Sequence, residues 1–314
     1  MKYKFEPKTG IEIGEIDKKL SCGRKFIDEC EAQYEARVDN VADMIVKSAC
    51  RAVMVSGPSA SGKTTSANKL ACALRRRGFQ AAVVSLDDFF KNLEDYPLDE
   101  KGNPDLENVD AVDIQCVNDT LKQLFSAGRC TLPQFDFHTQ HRKSEGVELV
   151  LDRSGYVIIE GIHALNPRLS ESLPNESVFR LYVGLRTEYS QNGVRVLKTR
   201  DLRITRRMVR DYKFRGRDVA ATLEAWENIS RGEDRWIKPF KPIVDMLLDT
   251  SFPYEPSVFL PILRDLEADL GQGREHRDTL IRLCGLFALF EPTDPDCVPS
   301  DSMLREFLGD SESN

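Results

Sequence analysis

None of the eight cysteines in this 314-residue chain stands in a C-x-x-C pair. Cys22, Cys30, Cys50, Cys72, Cys116, Cys130, Cys284 and Cys297 are scattered. That excludes a zinc ribbon or a disulfide framework and suits reduced thiols in a cytoplasmic protein. Long apolar runs are missing too. The nearest, Leu280 to Phe290, contains Arg282 and Gly285, and is too short and too broken to cross a bilayer. Met1 to Ile16 mixes Lys and Glu with single apolar residues and lacks the core of a secretory signal. No repeat or low-complexity tract occurs apart from a polar tail after Gly309. Positive charge is not in excess: the net charge is −7 and the pI about 5.4, unlike the basic footprint of a nucleic-acid-binding protein. The expectation is a cytoplasmic protein with neither membrane nor nucleic acid as partner; a homo-oligomer stays open. Its 41% hydrophobic content is that of a globular protein, and its length suits one large α/β domain with additions.

What is present is a phosphate-binding pattern. Residues 57–64, Gly57-Pro58-Ser59-Ala60-Ser61-Gly62-Lys63-Thr64, match G-x-x-x-x-G-K-[ST] at every required position. Glycines let the backbone curl so that the N–H groups of Ser59, Ala60, Ser61 and their neighbours face phosphate oxygens. Lys63 then reaches the β- and γ-phosphates of ATP, and the Thr64 hydroxyl ligates Mg²⁺. The pattern also arises by chance, so its setting matters. Ala52 to Ser56 is a short apolar run that suits a buried strand. Thr64 to Arg77 reads as a helix, with Ala67, Leu70, Ala71 and Leu74 on one face and Gly78 as its stop. Strand, glycine loop and helix are the setting required, and the helix start, at Thr64 and Thr65, adds partial positive charge.

Further along, Arg24 to Ala49 reads as a helix, 81–86 as a strand ending at Asp87-Asp88, and 91–109 as a polar loop over a site. Asp110 to Ala127 reads as a helix closed by Gly128. Strands are expected at Tyr156–Glu160, Phe179–Val183 and Val244–Leu248. Short apolar strands alternating with helices predict an α/β fold: a P-loop NTPase with a mostly parallel sheet covered by helices on both faces. The expected organisation is a short strand or arm at the N-terminus (1–25), a P-loop domain (26–255), a helical C-terminal extension (256–309) and a flexible tail (310–314).

In open parallel sheets, ligands gather at the carboxyl ends of strands, where Asp87, Asp88 and Glu160 fall. Asp87 suits the base that takes a hydroxyl proton, Asp88 competing, and it doubles as a candidate Mg²⁺ ligand. Glu160 suits Mg²⁺ directly or through water. A basic run follows from Lys198 to Arg217. Arg203, Arg206, Arg207 and Arg210 share one helical stripe, with Arg215 and Arg217 beyond it. Local acids are sparse, which points to unpaired guanidinium groups on an arginine-rich helical lid (about 198–220) over phosphates. RNA binding is the other use of such a run, and the low pI weighs against it.

Several blocks together, the glycine loop, Ser85-Leu86-Asp87-Asp88-Phe89-Phe90, Leu132 to Phe137, Ile159 to Pro167 and Arg206 to Asp211, resemble the phosphoribulokinase/uridine kinase family of P-loop kinases. The resemblance runs from about Lys25 to Gly309 and is greatest to bacterial uridine kinase-like proteins. It implies Asp87 as catalytic base, Thr64 and Glu160 at Mg²⁺, and Arg207, Arg210, Arg215 and Arg217 in the lid. It places Glu107 on ribose hydroxyls. Uridine–cytidine kinases read the pyrimidine with a tyrosine and a histidine where this chain has Phe135 and Gln140; Phe137 adds apolar surface. His163 is expected to be structural. The expectation is an ATP-dependent kinase acting on a primary hydroxyl, first a nucleoside 5′-hydroxyl. A sugar, polyol or pantothenate-like acceptor is the alternative, and a non-catalytic ATP-binding module a lesser one.

Overall fold

A computed structural model describes residues 7–48, 50–100, 102–270 and 276–309. The first six residues of the expected arm, the last residue of the expected first helix and the tail after 309 lie outside the described residues. A short strand β1 (Thr9–Glu12) and helix α1 (Ile13–Leu20) precede the long helix α2 (Lys25–Ser48). Then come β2 (Ala52–Ser56), the glycine loop, α3 (Lys63–Arg76) and β3 (Ala81–Ser85). Irregular chain leads to α4 (Ile114–Ala127), which starts later than the sequence suggests because Asp113 caps it, accepting from the Cys116 N–H.

Two small hairpins follow: β4 (Arg129–Leu132) pairs with β7 (Val147–Val150), and β5 (Phe135–Asp136) with β6 (His141–Arg142). The second half holds β8 (Tyr156–Glu160), β9 (Val178–Gly184), the hairpin β10 (Thr187–Gln191) and β11 (Val194–Leu197), α5 (Thr199–Arg215) and α6 (Val219–Trp236). It closes with β12 (Met246–Asp249), α7 (Glu255–Leu270), α8 (Arg277–Phe287) and α9 (Arg305–Leu308). The hairpins and β1 escape a reading by periodicity, since they are two to five residues long and most of β4, β6 and β7 is exposed or half-exposed.

The central sheet has the order β12-β9-β2-β8-β3, and every neighbouring pair is parallel. Its side chains alternate between two cores, as the pleat requires. Val53, Val55, Ile158 and Leu181 pack with α2, α3 and the C-terminal helices. Ala52, Met54, Val157 and Ile159 pack on the other face, with Val117, Leu121 and Leu124 of α4. Helices therefore cover both faces, and the loops leaving β2, β3 and β8 converge at one edge. β1 pairs in parallel with β10, and α1 buries Ile13 and Ile16.

Candidate active site

The glycine loop leaves β2 in a conformation its sequence demands. A Cβ on Gly57 would lie 2.0 Å from the Val183 carbonyl oxygen of β9, so only glycine lets the strands close. Gly62 has φ +83° and a Cβ there would meet the Met303 Sδ at 2.5 Å. Ala60, buried, takes φ +57°, a left-handed conformation that costs about 1–2 kcal/mol in a non-glycine residue. A left-handed residue helps curl a loop into the kind of concavity that holds anions. Two amides are already engaged: the Ser59 N–H donates to Glu233 Oε1 at 3.0 Å and the Ser61 N–H to the Pro58 carbonyl at 3.2 Å.

Lys63 opens α3 and donates from Nζ to the Pro58 carbonyl at 3.2 Å. Burial pulls its ammonium below the ordinary lysine range; the charges of Glu160, Glu306 and Asp87 oppose that, and Arg210 adds to it. Glu160 ends β8, is 5% exposed and accepts from Ser85 Oγ at 3.0 Å. Burial raises its carboxyl, chiefly against Lys63. Asp87 lies in the turn after β3 and keeps an accessible face. Crowding by the cleft walls still raises its carboxyl; Lys63 opposes, Asp88 adds and Arg215 opposes. Asp88 accepts the Phe135 N–H at 3.3 Å, a structural bond that ties β5 to this turn. Thr64 is exposed at the helix start. The structure thus brings Lys63, Asp87 and Glu160 together.

Glu107 stands on the loop opposite α6, against Gly232, where a Cβ would meet its own at 2.7 Å. Burial pushes its carboxyl up to about 7, with Arg207 opposing, Glu233 adding and Lys63 opposing. Arg207 reaches the loop, donating from Nη1 to Ser59 Oγ at 2.6 Å. Tyr96, which sequence reading passes over, packs on Phe90 beside the acid turn. Its hydroxyl is pushed up to about 12 by burial and the charge of Asp87.

Three expectations need correction. The arginine stripe is not unpaired. Arg203 pairs with Glu233, Arg206 with Glu255, Arg207 with Asp211 and Arg210 with Glu306. The acids come from α6, α7 and α9 as well as from α5, so local sequence hides most of them. Arg206 is fully buried, forming two bonds to Glu255 at 2.5 and 2.6 Å, and so is committed to that acid. Phe135 does not offer an open stacking face: it is 7% exposed, edge-on to Phe90 and Phe137. Phe137 is the exposed ring of the pair, at 61%.

Gln140 sits at the turn of the β5–β6 hairpin with φ +58°, its carbonyl accepting from Leu93 N–H at 3.3 Å. Arg215 pairs with buried Asp211 at 3.4 Å, and Arg215 and Arg217 face solvent. His163 is 2% exposed, edge-on to Trp236, with neither ring nitrogen bonded among the described residues. Burial lowers it to about 4, so it is neutral at pH 7.

Glu306 and Glu233 were invisible to sequence reasoning. Glu306 on α9 accepts from Thr65 Oγ1 at 2.6 Å and from Arg210 at 3.4 Å. Both are acids with no motif around them, placed at the loop by folding alone. Buried Ser61 Oγ has no hydrogen-bond partner among the described residues, whereas the Nε atoms of Arg207 and Arg210 face the Asp211 carboxylate at 3.3 and 3.7 Å. An unpartnered hydroxyl in a strained glycine loop fits an anionic ligand.

A glycine loop on a parallel sheet, with a lysine at its end and acids closing the next two strands, defines a P-loop phosphotransferase. Residues 52–251 match the phosphoribulokinase / uridine kinase family, and the chain belongs to that family. It is similar to the uridine kinase of Halobacterium salinarum, 25% identical over 198 residues that make up 63% of this chain and 79% of that one. The uridine kinase of Borrelia turicatae is 28% identical over 195 residues, 62% of this chain and 84% of that protein. Among solved structures, a Silicibacter sp. TM1040 protein provisionally described as a fructose transport system kinase superposes with a TM-score of 0.50 at 20% identity. It covers 67% of this chain and 98% of its own, a likeness of fold alone.

Proposed function

We propose that the protein is an ATP-dependent kinase that phosphorylates a primary hydroxyl of a small molecule carrying a vicinal diol, with a ribonucleoside 5′-hydroxyl as the first candidate. The observation that carries this is the convergence of Lys63, Asp87 and Glu160 at the carboxyl edge of the sheet. Lys63 and the loop amides would hold the β- and γ-phosphates. Thr64, Glu160 and Asp87 would supply the oxygen donors for Mg²⁺. When bound, Mg²⁺ and ATP supply a phosphoryl group whose charge is partly neutralised.

Asp87, made more basic by its setting, takes the proton of the acceptor hydroxyl. Arg207 and Arg210 neutralise charge on the phosphates, and Arg215 and Arg217 stand at the mouth. Glu107 accepts two hydrogen bonds from the diol, and Phe137 and Gln140 line the acceptor side. A non-nucleoside sugar or polyol is favoured instead by one observation, the burial of Phe135, which leaves little aromatic face for a base.

The test is a phosphorylation screen over ribonucleosides, 2′-deoxyribonucleosides, sugars and polyols. Ribonucleosides should lead, with their 2′-deoxy analogues more than about tenfold slower. Lys63→Ala should abolish turnover, and Asp87→Asn should lower kcat by about 10²–10⁴ with ATP still bound. No turnover on any acceptor, or normal turnover by Lys63→Ala, would reject the kinase. Activity confined to a polyol would reject only the nucleoside.

A further inference from the structure

A second pocket lies beside the glycine loop, with a volume of about 220 Å³. Pro58 lines it, but none of Lys63, Thr64, Asp87, Glu160, Glu107 or Arg207 does. Its walls carry six cationic side chains, Lys8, Arg186, Arg200, Arg203, Lys238 and Lys241, against two acids, Glu233 and Asp234. That is a concentrated excess of positive charge in a chain whose net charge is −7.

The two acids are already committed, Glu233 to Arg203 and the Ser59 N–H, Asp234 to Lys238. Lys241 lies over the Tyr182 ring, 4.5 Å from its centroid. Burial, and after it the charges of Lys238, Arg186, Arg203 and Lys8, lower its ammonium to about 8. Lys8 also pairs with buried Glu188 at 2.8 Å, yet six cations still outnumber the carboxylates around the pocket, and a bound anion would offset their repulsion. Arginine forks and lysine ammonium groups together are the donors that recognise phosphate. The volume exceeds that of a lone phosphate ion, and Tyr182 and Ile237 give an organic body apolar surface.

We infer that this pocket is a second anion site, separate from the glycine loop, that binds a small molecule through its phosphate group. Calorimetric titration of the full chain tests it. The Lys63→Ala background disables the glycine loop, and orthophosphate and ribose 5-phosphate are the probes. One site should persist in Lys63→Ala and weaken at least tenfold when Lys238→Gln and Lys241→Gln are added. Arg200→Gln, an exposed side chain bonded to Ser230, should weaken it several-fold and guards against misfolding of the double variant. Tighter binding of ribose 5-phosphate assigns the site to phosphorylated metabolites; equal binding assigns it to free phosphate. Loss of all binding in Lys63→Ala, or unchanged binding in the Lys238 and Lys241 variants, would overturn the inference and leave the kinase assignment standing.

Discussion

Glu107 illustrates how a position changes the chemistry of a side chain. A glutamate in water is ionised at neutral pH, yet burial holds this one at about 7, although Arg207 and Lys63 favour its charge. Its folded pKa is raised, so it is neutral below pH 7 and ionised above. Only the ionised form accepts from both hydroxyls of a diol. The KM for the acceptor should therefore fall about tenfold as pH rises from 6 to 8. Glu107→Gln should flatten that profile while kcat changes less. A steady-state pH series on both proteins checks this, and an identical slope in Glu107→Gln would place the titrating group elsewhere. Asp87 and Glu160 were readable because they sit at or just beyond a strand end, and Lys63 because it belongs to the contiguous glycine-loop motif. Glu233 and Glu306 were not, since no neighbour in sequence marks them.

Helix α5 carries the largest difference between pattern and outcome. Its arginines share a stripe, but each meets a different acid, and Arg206 is sealed against Glu255 of α7 with both side chains at 0% exposure. Burial raises the Glu255 carboxyl, and Arg206 opposes that. This pair pins the helix to the body, so any lid motion belongs to residues beyond it. Removing one partner strands a buried charge. Arg206→Ala should cost about 3–5 kcal/mol in urea unfolding, and Glu255→Ala a similar amount. Replacing both, Arg206→Met with Glu255→Leu, should cost far less than the sum. Additive losses would mean that the two groups are solvated independently.

Across the molecule, the C-terminal residues return to the phosphate loop. Met303 packs on Gly62, Phe307 lies under the Arg206 and Arg210 guanidinium groups, and Lys213 Nζ donates to the Leu308 carbonyl at 3.2 Å. Glu306 thereby sets a negative charge beside Thr65 and Arg210, where phosphates of the nucleotide are expected. Glu306→Gln keeps a hydrogen-bonding group but removes that charge, so it should tighten ATP binding by about three- to tenfold. Equilibrium titration with ATP checks it. Weaker binding would show that the carboxylate positions Thr65 and Arg210 rather than competing with phosphate.

The parallel sheet, the glycine loop and the acids at strand ends could be read from the amino acids in order. Each depends on a repeat of two or 3.6 residues or on a short contiguous motif, and such signals are local. The pairing of the N-terminal strand with β10, the small hairpins, the pairing of the α5 arginine stripe with acids and the closure of the C-terminal segment over the loop could not. Those depend on which distant chains meet. Arg206, sealed against Glu255, and Arg210, paired with Glu306, are the same residue type four positions apart, and only packing distinguishes them.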